Sequence, residues 1–343
     1  MEEPFQSAYK RHHSTETALL KVSSDVLNEI DNKKVCVLVL LDLSAAFDTI
    51  DHEILLERLE KSFLLSGTVL MWFKSYLENR FMSVKIGNDV SDRLPLKYGV
   101  PQGSVLGPVI FTMYTQSLSS IISLYALNYH LYADDTQLYG FTTTDNVQSL
   151  IDRIARCIND IRKWMLKSKL KINEDKAEIL FSRSSACNEI DNISININGH
   201  EISAQTKIKN LGVVLDQDMS MKSHVSNLCK NLYIQLKKIG SIRKYLSVGV
   251  TKTLITSLIL SRIDYCNSLL AGVPDEQLQQ LQRVQNIAAK IITKKLKHDH
   301  VTPILKELHW LPVKERIIYK ICLTCYKCVN DLSPDYLKQL LTP

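Results

Sequence analysis

Two aspartates stand side by side in Tyr132-Ala133-Asp134-Asp135, between His130-Leu131-Tyr132 and Leu138-Tyr139. Unpaired neighbouring carboxylates repel each other. A divalent cation removes the repulsion, because Mg²⁺ prefers one or two carboxylates together with phosphate oxygens and water. The dipeptide alone decides nothing, since solvated turns carry it too. A third acid, Asp42, follows the apolar run from Val35 to Leu41. A carboxylate there is costly unless it emerges at an edge or meets a partner, and an ion at the aspartate pair needs such a partner. Asp48 already has a sufficient role in capping the helix that follows it.

Two further stretches suit phosphates. Lys10, Arg11, His12 and His13 form a basic cluster just before a helix N-terminus, which favours phosphate and equally fits a solvated turn. Gly99-Val100-Pro101-Gln102-Gly103-Ser104-Val105-Leu106-Gly107-Pro108 carries three of the chain's eleven glycines within nine positions. Backbone can approach a ligand closely there, although an ordinary connector has the same composition.

The elements that must position these residues follow from periodicity. Residues 128 to 140 read as a β-hairpin with the two aspartates at its tip. Residues 35 to 43 read as a strand buried on both faces. Ser14 caps a helix over 14 to 30, and further helices are predicted over 51 to 61, 70 to 77 and from near Pro108. Residues 83 to 86 and 93 to 98 form a predicted hairpin around Gly87-Asn88-Asp89. Asp145 opens an amphipathic helix whose stripe is Val147, Leu150, Ile151, Ile154, Ile158, Ile161 and Met165. Residues 170 to 173 and 178 to 181 are predicted strands around a turn carrying Lys176, and 208 to 215 one short strand with Gly212 inside. From Met219 the pattern is helical, with one face made by Val225, Leu228, Leu232 and Leu236. Another stripe is Leu278, Leu281, Val284, Ile287, Ala288 and Ile291, with Arg283, Lys290, Lys294, Lys295 and Lys297 nearby.

The chain has 343 residues, 45% hydrophobic and 23% charged, the balance of a globular protein with a core. Its net charge of +6 is unevenly spread. Residues 1 to 216 hold 23 Lys+Arg against 27 Asp+Glu, and residues 217 to 343 hold 19 against 9. A mildly acidic first part and a basic second part suit a metal site beside a polyanion-binding module, and also fit a basic half that merely keeps the protein soluble. Several of the eight cysteines lie in apolar runs, as in reduced intracellular proteins. Cys322, Cys325 and Cys328 drift along one helical face and read as core, because no zinc-type Cys/His spacing accompanies them. The apolar runs are too short to span a bilayer, and no secretory signal precedes the first polar segment. A soluble intracellular protein is expected.

Taken together, Leu41-Asp42-Leu43-Ser44-Ala45-Ala46-Phe47-Asp48, Pro101-Gln102-Gly103 and Tyr132-Ala133-Asp134-Asp135 resemble, in order and spacing, the reverse transcriptases. Gln6-Ser7-Ala8-Tyr9 with Ser14-Thr15-Glu16-Thr17-Ala18-Leu19 is similar to the block before the first catalytic strand. Asn210-Leu211-Gly212-Val213, Ser261-Arg262-Ile263-Asp264-Tyr265-Cys266-Asn267 and Leu308-His309-Trp310-Leu311-Pro312-Val313 point to the non-LTR (LINE-type, jockey-like) retrotransposon branch. The resemblance covers nearly the whole chain. It implies an α+β fold: a right-hand polymerase palm, an antiparallel sheet with packed helices, with partial fingers and an all-helical thumb-like domain. Residues 1 to 216 would be the reverse transcriptase domain, with a finger remnant over 1 to 34, and 217 to 343 the basic helical thumb.

The resemblance also implies roles. Asp42, Asp134 and Asp135 would bind two Mg²⁺ ions (or Mn²⁺), Asp42 and Asp134 bridging them and Asp135 ligating less directly. Phe47 would gate against a 2′-hydroxyl; a plain core phenylalanine has the same signature. Gln102 and Gly103 would meet the incoming dNTP, with Lys176, Lys10 and Arg11 near its phosphates, and Leu211, Gly212 and Val213 would form the primer grip. Lys10 stands where the family has arginine, which keeps charge but loses the bidentate fork. The chain begins at the family's second block, so an N-terminally truncated fragment without most of the fingers or an endonuclease is expected. RNA template, DNA primer and dNTPs are the implied partners, in a nuclear or cytoplasmic ribonucleoprotein, with oligomeric state open. One alternative stays open, a catalytically silent remnant that binds nucleic acid; a metal-dependent nuclease built on the same acids fits poorly, because it needs neither Phe47 nor the Gln102 loop.

Overall fold

Alternating and helical apolar patterns resolve into a mixed structure, 53% helical and 18% strand. The computed structural model describes residues 3–44, 46–101, 103–183, 193–197, 199–296 and 298–341. Ala45, Gln102, Cys187 and Lys297 lie outside the described residues. In chain order come α1 (Thr15–Asp31), β1 (Val35–Leu41), β2 (Leu43–Ser44), α2 (His52–Lys61), α3 (Gly67–Leu77), β3 (Phe81–Met82), β4 (Lys85–Ile86), β5 (Asp89–Val90) and β6 (Leu94–Pro95). Next are α4 (Leu106–Thr115), α5 (Leu118–Ser123), β7 (Asn128–Tyr132), β8 (Asp135–Thr142), α6 (Val147–Lys167), β9 (Lys171–Ile172), β10 (Glu178–Ser182), β11 (Ser194–Ile197), β12 (His200–Gln205), β13 (Lys207–Asn210) and β14 (Val213–Asp216). The remainder is helical: α7 (Lys222–Ile242), α8 (Val248–Ile255), α9 (Ser261–Asp264), α10 (Asp275–Thr293), α11 (Val301–Glu307), α12 (Val313–Val329) and α13 (Asp335–Lys338).

The described chain divides into two compact units. The first holds residues up to Arg11, Lys34–Phe181 and the strands through Ala204; the second holds His12–Lys33 and Gln205 onwards. The charge-based boundary near 216 therefore differs from the grouping by contact, and α1 belongs with the C-terminal helices rather than with the segment before it. The attachment is specific. Glu16 accepts from Ser268 N at 3.1 Å and Ser268 Oγ at 2.6 Å, Lys320 pairs with its other oxygen at 3.1 Å, and the Tyr336 hydroxyl donates to Thr17 at 3.1 Å.

In the first unit a six-stranded sheet runs in the order β11-β12-β10-β1-β8-β7. β1 lies inside it, and Val35, Val37, Leu38 and Val39 are at most 1% exposed. Burying each such side chain contributes roughly 1.5–3 kcal/mol, which is why an unbroken apolar run becomes an interior strand. The run predicted over 35 to 43 breaks at Asp42: Leu43 and Ser44 leave the sheet and pair with β9. The stripe of α6 is buried as the periodicity predicts, with Cys157 added. The predicted 83–98 hairpin forms as two nested ladders, β4 with β5 around Gly87-Asn88 and β3 with β6 outside them. Asp51, not Asp48, caps α2, its carboxylate accepting from Glu53 N and Ile54 N.

In the second unit, residues 208–215 are not one strand. β13 and β14 form an antiparallel hairpin with Leu211-Gly212 as its turn. Along α10 the buried face is Leu278, Leu281, Val284, Gln285, Ala288, Ala289 and Ile292. Ile287 and Ile291 instead line a cleft of about 480 Å³ with Arg243, Lys290, Lys294 and Lys295. Of the cysteine triplet on α12, Cys328 is buried while Cys322 is exposed and Cys325 half-buried, so the expected shared core face is not formed.

Candidate active site

The hairpin β7–β8 pairs Tyr132 with Asp135 and leaves Ala133-Asp134 as a two-residue loop. Asp134 thus sits in the turn and Asp135 begins β8. Ala133 adopts a left-handed backbone, φ 57°. The antiparallel register of β1 on β8 pairs Leu41 with Thr136, which carries Asp42, the next residue, to the end of the sheet where Asp135 lies. The Asp42 carbonyl accepts from Asn173 N at 2.9 Å. A 3₁₀ turn over Glu174–Lys176 then brings the Lys176 ammonium to 2.9 Å from Asp42 Oδ2.

Electrostatics couple the three acids. Packing of protein around Asp134 holds its pKa above the ordinary carboxylate value, and the charge of Asp42 adds to the rise. Asp135 is pushed up to about 6, first by the protein packed around it, then by Asp134 and Asp42, with Lys176 opposing. Its side chain nevertheless keeps contact with solvent, so water and ions reach it. Lys176 is held protonated above its usual range, first by its bond to Asp42.

Among the described residues no three His, Cys, Asp or Glu side chains converge closely enough to hold an ion as they stand. Like charges do not converge without a cation between them, and the Lys176 ammonium contacts Asp42 while acting on Asp134 and Asp135 only through space. An all-carboxylate donor set, with the pKa values of Asp134 and Asp135 raised and an ammonium already on Asp42, fits a hard divalent cation such as Mg²⁺.

The loop expected to meet a ligand is tied to the segment after Asp42. Gly99 N donates to Ile50 O at 2.8 Å and Val100 N to Phe47 O at 3.1 Å. His52 Nε2 lies 2.7 Å from Gly99 O, and Asp51 bridges to Tyr98. Gly99 is required here: at φ 80° a Cβ would stand 2.9 Å from Asp48 Cα and Asp48 O. Gly103 also has positive φ, 84°, with open space where a Cβ would go; Gln102 lies outside the described residues. Phe47 is half-buried, its ring 4.7 Å from that of Phe111, so it is a core contact on one side whatever its other side meets. Lys10 donates through Nζ to Glu3 O, and Arg11 is exposed. Tyr9, just before them, is near enough to Asp134 for that charge to add to the rise burial imposes on its hydroxyl pKa.

In the second unit the Leu211-Gly212-Val213 segment is the β13–β14 turn, with Leu211 at φ 43° and Gly212 at φ 85°. The Tyr265 hydroxyl donates to Leu211 O at 2.7 Å, and its ring lies 3.3 Å from where a Gly212 Cβ would be. Tyr265 and Gln6, whose amide bonds to Ala133, escaped the reading of individual residues. Both lie in the blocks that carry the resemblance, which is the signal that could have found them.

Comparison with known proteins identifies the family. A family profile described as reverse transcriptase (RNA-dependent DNA polymerase) matches residues 2–215. The RNA-directed DNA polymerase from mobile element jockey of Drosophila melanogaster is 24% identical over 319 residues, covering 88% of this chain and 34% of that protein. The probable RNA-directed DNA polymerase from transposon BS of the same species is 23% identical, covering 91% and 35%. The chain thus spans about one third of the length of these relatives. Apo telomerase from Candida tropicalis superposes with a TM-score of 0.45 at 13% identity, over 92% of this chain and 52% of that one. With well over half of its length matched, including Asp42, the glycine-rich loop and the aspartate turn, the chain belongs to the reverse transcriptase (RNA-dependent DNA polymerase) family.

Proposed function

We propose that the chain is the catalytic portion of an RNA-directed DNA polymerase of a non-LTR, jockey-like retrotransposon, adding dNTPs to a primer 3′-hydroxyl on an RNA template. The observation that carries this reading is the β1–β8 register, which places Asp42 beside the aspartate turn. Residues 1 to 216 are read as palm with a finger segment over 1 to 34, and the basic helices after residue 216 as thumb.

Asp42, Asp134 and Asp135 would hold the Mg²⁺ ions, two in this reading, with Mn²⁺ as a substitute. Bound there, the metal would activate the 3′-hydroxyl and neutralise charge on the departing pyrophosphate. The chain's own residues do the rest. Phe47, braced against Phe111, limits room beside the sugar. Gly103 lets backbone approach the nucleotide next to Gln102. Lys176 keeps its charge at neutral pH and, with Lys10 and Arg11, supplies cations for the phosphates. The turn at Leu211, Gly212 and Val213, steadied by Tyr265, would grip the primer. Such an enzyme would work as a ribonucleoprotein in nucleus or cytoplasm; no helix among the described residues is long and apolar enough to cross a membrane.

Primer extension on an RNA template with dNTPs and Mg²⁺ tests the reading. Extension by the wild-type chain, lost to background in Asp134→Asn, is the expected result. Equal, negligible extension by both proteins would leave a nucleic-acid-binding remnant, and cleavage without nucleotides would indicate a nuclease.

A further inference from the structure

We propose that Gln6 is a positioning residue of the metal-binding turn: its side-chain amide holds Ala133 in the left-handed conformation that delivers Asp134 and Asp135 to the end of β1. The proposal rests on the reading of the three acids as a metal site.

The segment around Gln6 runs parallel to β7 as far as Leu131. Leu131 N donates to Phe5 O at 2.8 Å, and Ser7 N donates to Leu131 O at 2.9 Å. Beyond that point the two backbones part, because the chain turns at Ala133 with φ 57°. The Gln6 side chain continues the ladder where the backbone stops. Its Nε2 donates to Ala133 O at 3.4 Å, and its Oε1 accepts from Ala133 N at 3.1 Å and from Ala8 N at 2.9 Å.

Gln6 is 3% exposed, so these bonds are made out of water, where a lost partner is not replaced. An amide presents a donor and an acceptor side by side; a carboxylate accepts only, and a thioether does neither usefully. Alanine at a left-handed position has no polar side chain with which to support its own backbone, unlike Asn or Asp. The support therefore comes from across the sheet edge. Ser7 Oγ and His130 Nε2, 2.7 Å apart, fix the neighbouring rung.

The test uses the full chain with Mn²⁺ as the probe, its binding followed by electron paramagnetic resonance. Gln6→Met keeps the volume and removes the bonds; it should weaken Mn²⁺ binding about 10- to 100-fold, the usual effect of losing support behind a metal ligand. Adding Ala133→Gly, which tolerates positive φ, should restore much of that loss, which a general packing defect at Gln6 would not allow. Amide hydrogen exchange on the wild type needs no variant: Ala133 N–H should be strongly protected. Wild-type-like Mn²⁺ affinity in Gln6→Met, no recovery with Ala133→Gly, or an unprotected Ala133 amide overturns the proposal alone. Wild-type binding no better than that of Asp134→Asn removes the metal-site reading and this proposal with it.

Discussion

A carboxylate that is hard to ionise reports on its surroundings, and Asp135 does so through its pKa of about 6. The folded protein keeps this proton to a higher pH than the unfolded chain, whose Asp titrates near its ordinary value. Below that ordinary value both states are protonated and nothing is lost. As pH rises towards 6 the folded state binds more protons than the unfolded one, so stability falls, and above about 6 the loss is complete. Solvent contact at Asp135 screens part of the effect, leaving about 1 kcal/mol. Thermal melts in EDTA at pH 5 and 7.5 should therefore show a decline that Asp135→Asn reduces and that millimolar Mg²⁺ reverses at the higher pH. A pH dependence identical in wild type and Asp135→Asn would mean that the carboxylate is not crowded as the geometry has it.

At the scale of elements, the loop tied to the segment after Asp42 depends on one glycine. Gly99→Ala combines positive φ with a Cβ 2.9 Å from Asp48 backbone, and backbone cannot swing aside as a side chain can. Gly67→Ala is the matched control: φ is 57° with nothing within 4 Å of the Cβ. The control should cost about 1 kcal/mol from the backbone alone, and Gly99→Ala more than about 2 kcal/mol, measured by urea denaturation. Equal costs would mean the tie between the two segments is looser than its hydrogen bonds indicate. These elements also separate what local sequence carries from what it does not. The strand β1, the aspartate hairpin and the α6 stripe are legible because apolar spacing alone determines which face is buried. The turn at Leu211-Gly212 is hidden inside a run from Ile208 to Leu215 that reads as one strand, and only a one-residue slip in the buried alternation, from Ile208 and Asn210 to Val213 and Leu215, marks it. Asp48 and Asp51 both precede α2, and composition does not say which carboxylate reaches the helix. The place of α1 depends on Glu16 meeting Ser268 and Lys320, and the Gln6 clamp on a partner far along the chain. No periodicity encodes such bonds.

For the whole molecule the governing quantity is charge. Residues 217–343 hold 19 Lys+Arg against 9 Asp+Glu, and part of that excess lines the cleft with Arg243, Lys290, Lys294 and Lys295. Arg243 is committed to structure: its guanidinium donates to the carbonyls of Ile291, Leu246 and Ile292 at 2.7–2.8 Å. Lys294 and Lys295 are exposed and are the pair to test as phosphate contacts. Lys294 ends α10 in a left-handed conformation, φ 55°, which suits glycine better than lysine. Lys294→Gly should therefore raise stability by roughly 0.5–1 kcal/mol while removing a charge. Combined with Lys295→Ala, it should weaken binding of an RNA–DNA duplex and lower the slope of log affinity against log salt by about 1 per lysine. Asp134→Asn should leave that slope unchanged. Fluorescence anisotropy across a salt series reads the slope, and a thermal melt reads the stability. The opposite signs of the two effects separate lost phosphate contact from a damaged fold. An unchanged slope in the double variant would place the duplex on another face of the helical unit.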